Sequence, residues 1–232
     1  FFLTKAIDFR KQQLKKLNKL LKENEDVLFE AIYRDFKKAK FETYTTELSL
    51  LYSEIETALS QLNSWSKKKR VRTNFANFPA KSYIIPEPLG VVLVIGAWNY
   101  PYQLAIAPAI AALTAGNTVI LKPSEIAFHS SAIMAKIINE SFDAAVCYVQ
   151  EGDVPETTTL LELPFDKIFF TGSTAVGKIV YQAAAKNLTP VTFFFFFLSP
   201  TFVCKDADLE ITAKRMVWAK FLNAGQTCIA PD

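Results

Sequence analysis

Histidine is almost missing from this 232-residue chain. His129 is the only one, and the three cysteines, Cys147, Cys204 and Cys228, lie far apart with no CxxC pair. An odd thiol count without paired spacing argues against a disulfide framework and against a zinc site, and points to a reducing compartment. The sequence has no GxGxxG, so any nucleotide must be held by something other than the usual glycine turn. No apolar run approaches the roughly 20 residues of a membrane helix. The longest, 91–97 and 104–113, are short, and Pro108 interrupts the second. Charged residues follow Phe1-Phe2-Leu3 at once, so no secretory leader is expected and the chain reads as soluble and cytoplasmic. A strong net charge is lacking too. The balance is +3, with 16 of the 26 Lys+Arg and 10 of the 23 Asp+Glu inside residues 1–72. Those lysines alternate with glutamates at helical spacing and carry no stacking aromatics. That favours a solvated helix face over a polyanion site, so no nucleic-acid partner is expected.

Hydrophobic residues make up half of the chain, enough for a sizeable core in one large or two small domains. Over residues 4–63 the apolar positions Leu14, Leu17, Leu21, Val27, Leu28, Ile32, Leu48, Leu51, Ile55, Leu59 and Leu62 recur every three or four residues, as amphipathic helices require. Asn24 and Asp26 mark a break between two of them. A basic run, 67–70, leads into the Pro-punctuated stretch 81–88, which cannot continue a helix and reads as a strand or hairpin arm. Beyond it, buried strands (90–97, 117–121, 145–150, 167–170 and one containing 201–203) alternate with helices (104–113, 129–142, 157–163, 174–185 and 211–222). This pattern predicts an α/β fold, an open, parallel, doubly wound sheet carrying N-terminal helices. One low-complexity segment stands out, Phe193–Phe197.

Ligands of such sheets bind beyond the carboxyl ends of the strands. Three polar turns fall there: Trp98-Asn99-Tyr100-Pro101, Lys122-Pro123-Ser124-Glu125, and Thr171-Gly172-Ser173-Thr174-Ala175-Val176-Gly177. Gly172-Ser173, just before a helix, is either a phosphate cradle or a tight turn that needs glycine for positive φ. Lys122 and Glu125 suit ribose hydroxyls, although a surface salt pair is the simpler reading. Asn99 has an amide able to stabilise an oxyanion, but is also a common turn residue. Cys228 sits in a polar glycine-containing loop, whereas Cys147 and Cys204 occupy apolar strand positions and read as core. His129, at a helix start, reads as structural rather than as a base.

These turns, with Asn223-Ala224-Gly225-Gln226-Thr227-Cys228 and in this order, resemble the aldehyde dehydrogenase superfamily, and the Trp-Asn-Tyr-Pro form resembles its class 3 (fatty or aromatic aldehyde) branch. The resemblance spans essentially the whole chain. It implies that Cys228 attacks an aldehyde through a thiohemiacetal and a thioester, with Asn99 and the Cys228 N–H on the oxyanion. It implies NAD or NADP as cofactor, held by Lys122 and Glu125 at the ribose, by Gly172, Ser173, Thr174, Ala175, Val176 and Gly177 near the pyrophosphate, and by Trp98 at the wall. The implied organisation is N-terminal helices of the cofactor domain (1–72), an oligomerisation arm (73–89), an NAD(P)-binding domain (90–200) and the start of a second α/β catalytic domain (201–232), in a homodimer.

Two departures follow from the same resemblance. The family reads Val-Thr-Leu-Glu-Leu-Gly-Gly-Lys-Ser-Pro where this chain has Val191-Thr192-Phe193-Phe194-Phe195-Phe196-Phe197-Leu198-Ser199-Pro200. Phe194 thus stands in the place of the water-activating glutamate, and Phe196 and Phe197 replace glycines beside the nicotinamide. The family also continues for about as long again. The chain is therefore expected to be inactive as it stands. The competing readings are a non-catalytic nucleotide-binding fragment and a relative that acts on acyl-CoA or acyl phosphates, the latter disfavoured by the Trp-Asn-Tyr-Pro form.

Overall fold

The computed structural model describes residues 2–195 and 199–232. The apolar spacing at the front forms α1 (Phe2–Lys5), α2 (Ile7–Glu23), α3 (Glu25–Phe36), α4 (Lys40–Thr43) and α5 (Ser49–Trp65), with a π-turn, Tyr44–Leu48, leading into α5. The break does fall at Asn24, whose backbone N–H donates to Leu21 and whose side chain donates to Leu20. Leu14, Leu17, Leu21, Leu28, Ile32, Leu51, Ile55 and Leu62 are all at most 2 % exposed. Each such side chain stabilises the fold by about 1.5–3 kcal/mol through burial.

β1 (Lys69–Val71) and β2 (Ser82–Ile84) pair antiparallel, Arg70 opposite Tyr83. The 81–88 stretch is therefore one arm of a hairpin, and the basic run supplies the other. Next come β3 (Val91–Ile95), α6 (Pro101–Ala115), β4 (Thr118–Lys122), α7 (Phe128–Ser141), β5 (Cys147–Val149), α8 (Val154–Leu161), β6 (Lys167–Gly172), α9 (Thr174–Lys186), β7 (Val191–Phe195) and α10 (Leu209–Phe221). Strands β3 to β7 form one parallel sheet in the order β5-β4-β3-β6-β7. Val92 and Val94 face the cluster built with α2, α3, α5, α6 and α7, while Leu93 and Ile95 face the one built with α8 and α9. Both faces are covered, which is why β3 is apolar at every position. The chain moves outward through β4 and β5, then returns to the other side of β3. The resulting switch point between β3 and β6 opens a crevice at their carboxyl ends.

Two expectations need correction. The fifth strand is Val191–Phe195, and residues 201–203 are irregular. The Val-Thr-Phe run has the β propensity and finds β6 to pair with, Phe194 opposite Thr171. Among the described residues no strand pairs with 201–203, and Thr201 donates instead to the Asp232 carbonyl. Cys204 is exposed for the same reason, whereas Cys147 is buried in β5 as expected. Phe193 turns inward, its ring 6.1 Å from Phe170 and 5.7 Å from Tyr181.

Arg10, on α2, ties α1 to the end of α6. Its guanidinium donates to the Thr4 and Lys5 carbonyls at the end of α1 and to Thr114 at the end of α6, a cation where helix dipoles favour one. Helix α6 stops at Gly116, φ +88°, where a Cβ would lie 2.7 Å from that guanidinium. Gly116→Ala is expected to lower stability by about 2 kcal/mol or more, from left-handed strain and displaced hydrogen bonds. A urea midpoint that stays unchanged would mean that Arg10 swings aside freely.

Candidate active site

The three strand-end turns meet. Trp98 and Asn99 after β3, Lys122 and Glu125 after β4, and Gly172 and Ser173 after β6 line one cleft of about 620 Å³, together with Val176 and Cys228. That volume suits a cofactor-sized ligand. Thr174, Ala175 and Gly177, in the first turn of α9, do not line it. Ser173 caps α9, its Oγ accepting from the Val176 N–H at 3.3 Å. Gly172 does not have a positive φ. It is glycine because a Cβ there would lie 2.6 Å from the Phe170 ring.

Lys122 and Glu125 are not a surface pair. The Lys122 side chain is 2 % exposed and 3.7 Å from a Glu125 oxygen that faces solvent. Lys122 donates to the Pro123 carbonyl at 2.8 Å. Burial lowers its pKa, opposed by the carboxylates of Glu125, Asp153 and Glu156.

Cys228 lies where this cleft meets a second cavity of about 630 Å³, lined mainly by apolar side chains that include Phe41, Leu104, Phe194 and Trp218. Phe194 therefore faces the same space as the thiol. The readings of Phe196, Phe197 and Leu198 lie outside the described residues. Burial pushes the Cys228 thiol up, while the N–H groups of Cys228 and Ile229 pull it down. Cys147, buried in apolar surroundings, is pushed up to about 12, which leaves it inert.

Asn99 is 4 % exposed. Its Nδ2 donates to the Gln226 carbonyl at 2.8 Å, and its carbonyl accepts from Asn223 Nδ2 at 2.8 Å. Its Oδ1, like Thr171 Oγ1, is buried without a partner, and both residues line the cleft. Tyr100 Oη pairs with Thr227 Oγ1. Ser199 Oγ reaches the Cys228 carbonyl at 3.3 Å, and the Ser199 N–H donates to Asp232. The 223–228 loop is thus tied to the loop after β3 on one side and to residue 199 on the other.

Two carboxylates from the front of the chain hold the helices that start behind these turns. Glu47 accepts the N–H groups of Tyr102 and Gln103 at 2.9 and 3.2 Å and pairs with buried Lys38 at 2.8 Å. Asp35 accepts the N–H groups of His129 and Ser130 at 3.0 and 2.8 Å, and its other contacts are His129 Nδ1 and Ser130 Oγ. His129 is accordingly structural. Hydrogen bonds to Ser130 and His129 lower the Asp35 pKa against the opposing effect of burial. Sequence reasoning missed both carboxylates. Glu47 had one signal, because it stands four residues before Leu51 on the apolar stripe.

Residues 4–232 match the profile described as the Aldehyde dehydrogenase family. The 4,4'-diaponeurosporen-aldehyde dehydrogenase of Staphylococcus aureus is 49% identical over 229 residues, which are 99% of this chain and 50% of that protein. The dimeric NADP-preferring aldehyde dehydrogenase of Rattus norvegicus is 45% identical, with 99% of this chain and 51% of the relative covered. A solved substrate-bound state of Staphylococcus aureus AldH superposes with a TM-score of 0.96 at 49% identity, covering 99% of this chain and 50% of that one. The chain spans about half the length of the relatives it matches.

Proposed function

The chain belongs to the aldehyde dehydrogenase family, and from that premise we propose that it carries the cofactor crevice and the nucleophile of an NAD(P)-dependent oxidation of aldehydes to carboxylic acids. One observation carries the reading: Cys228 lies where the cleft at the sheet's switch point, with Asn99, Lys122, Glu125 and Ser173 in its wall, meets a second, apolar cavity. The cleft suits a dinucleotide in volume and in its two buried, unpartnered oxygens, Asn99 Oδ1 and Thr171 Oγ1. Lys122 and Glu125 would hold the ribose, Gly172, Ser173 and Val176 the phosphate side, and Trp98 the wall, with Thr174, Ala175 and Gly177 building the turn behind them. When bound, the nicotinamide supplies a hydride acceptor. NAD and NADP both remain in the proposal.

The chain's own residues do the rest. The Cys228 thiolate forms the C–S bond to the aldehyde carbonyl carbon. The second amide hydrogen of Asn99 Nδ2 and the Cys228 N–H stabilise the oxygen as it gains charge. The apolar cavity receives the substrate's carbon chain. Hydrolysis of the Cys228 thioester needs a base on this side of the sulfur, and Phe194 accepts no proton. Acylation without turnover is the expected behaviour. We place residues 73–89, which include β2, in the arm of a homodimer, and the free thiols support a reducing, cytoplasmic setting. Among the described residues no helix is long and apolar enough to cross a membrane.

Mixing the chain with cofactor and a medium-chain aldehyde tests this. The expected result is a fluorescence change on NADH binding, with no steady formation of NAD(P)H. Absent cofactor binding removes the crevice assignment, and sustained multiple turnover removes the missing-base assignment.

A further inference from the structure

Glu42, on α4, belongs to neither the sheet nor the nucleophile loop, yet it touches that loop directly. One carboxylate oxygen accepts the Asn223 backbone N–H at 2.7 Å. Asn223 in turn donates its side-chain amide to the Asn99 carbonyl, and Asn99 donates to the Gln226 carbonyl, each at 2.8 Å. The segment so held is unusual. Asn223, Ala224 and Gly225 all have positive φ, at 53°, 53° and 80°. Left-handed backbone is unfavourable for a residue with a Cβ, so such a turn persists only where its surroundings over-determine it. Among the described residues lining the apolar cavity, Glu42 is also the one with a charged side chain. A half-buried carboxylate beside apolar walls is costly unless its hydrogen bond is needed.

We propose that Glu42 is a positioning residue for the nucleophile: its carboxylate anchors the left-handed turn at Asn223 and, through Asn223 and Asn99, fixes where the Cys228 sulfur sits between the two cavities. The inference rests on Cys228 being the nucleophile. It does not depend on turnover, because the reactivity of the thiol reports its placement.

Iodoacetamide labelling followed by site-resolved mass spectrometry, across a pH series, tests it. Burial holds the Cys228 thiol above its ordinary range. The other titratable groups facing it are Glu42 and Tyr100 from the apolar cavity and Lys122 and Glu125 from the cleft. In Glu42→Leu the released loop lets water reach the sulfur. The labelling midpoint should fall toward that of a free thiol, about 8.5, and the rate near neutral pH should rise about threefold or more. Glu42→Gln keeps an acceptor for the Asn223 N–H but removes the charge, so its midpoint should stay with the parent. Asn223→Gly keeps the turn geometry and deletes only the bond to Asn99, so it should shift in the same direction as Glu42→Leu.

Equal midpoints in the parent and Glu42→Leu overturn the proposal. So does a Glu42→Gln midpoint that moves as far as that of Glu42→Leu, since charge alone would then explain the shift. A parent chain whose Cys228 resists labelling at every pH overturns both this inference and the nucleophile reading. Buried Cys147 reports integrity. If Glu42→Leu exposes it, the Asn223→Gly midpoint decides instead, and one equal to the parent's overturns the proposal.

Discussion

A Phe194→Glu chain loaded with a nitrophenyl ester is expected to shed its acyl group about 10²–10⁴ times faster than the parent. With Cys228 as the proposed nucleophile, the ester acylates it without requiring a hydride acceptor, so deacylation is read in isolation. Phe194 and Cys228 line the same cavity, and Phe194 stands on β7 opposite Thr171. Its side chain is 46 % exposed, so a carboxylate there keeps contact with water and strands no buried charge. Phe193, which points the other way onto Phe170 and Tyr181, is left in place. The parent should show a burst of nitrophenol followed by a stall, with the acyl mass resident on Cys228. The Phe194→Glu substitution should leave the burst unchanged and raise the steady rate. A parent that already turns over as fast as the variant would mean that another group activates the water.

The largest effect on stability is expected at Lys38. Lys38 and Glu47 are 2.8 Å apart, with side chains 2 % and 0 % exposed. The ammonium also lies 4.2 Å from the centre of the Tyr100 ring. Removing one member of such a pair leaves a buried charge uncompensated, so Lys38→Met should cost about 3–5 kcal/mol. The pH dependence has a definite sign. Burial pushes the Glu47 pKa up and Lys38 pulls it down, so the variant raises the folded value further above the unfolded one. A carboxyl raised in this way contributes stability at low pH and loses it as pH rises through its folded pKa. The deficit should therefore widen toward alkaline pH and narrow in acid. Lys38→Met/Glu47→Gln should recover most of the loss, because glutamine still accepts from the start of α6. Urea midpoints at several pH values measure both effects, and a deficit independent of pH would show that Glu47 is already neutral in the parent.

The crevice was legible in the sequence because each of its turns interrupts an apolar run with polar or turn-forming residues at a strand end. The alternation of strands and helices was legible for the same reason. What was not legible is pairing over distance. Nothing near Asp35 or Glu47 in sequence indicates the N–H groups that they accept, 95 and 55 residues later. Lys122 looked like a surface partner for Glu125, because four adjacent residues do not reveal that β4 carries Lys122 inward and leaves Glu125 at the rim. The fifth strand was misplaced for a related reason. A phenylalanine run gives no alternation to read, and the choice between 191–195 and 201–203 rests on which segment finds β6.

The reach of Arg10 and Asp35 also bears on how the chain is made. Their acceptors and donors at Thr114 and Ser130 come 104 and 95 residues later. On a ribosome, the front helices therefore emerge long before the groups that complete the hydrogen bonding of these two side chains. Contacts of such sequence separation form late, and partly built intermediates expose apolar surface. Translation that pauses before about residue 130 would leave the helical layer with only β3 and β4 of its five-stranded sheet, a natural client for a holding chaperone.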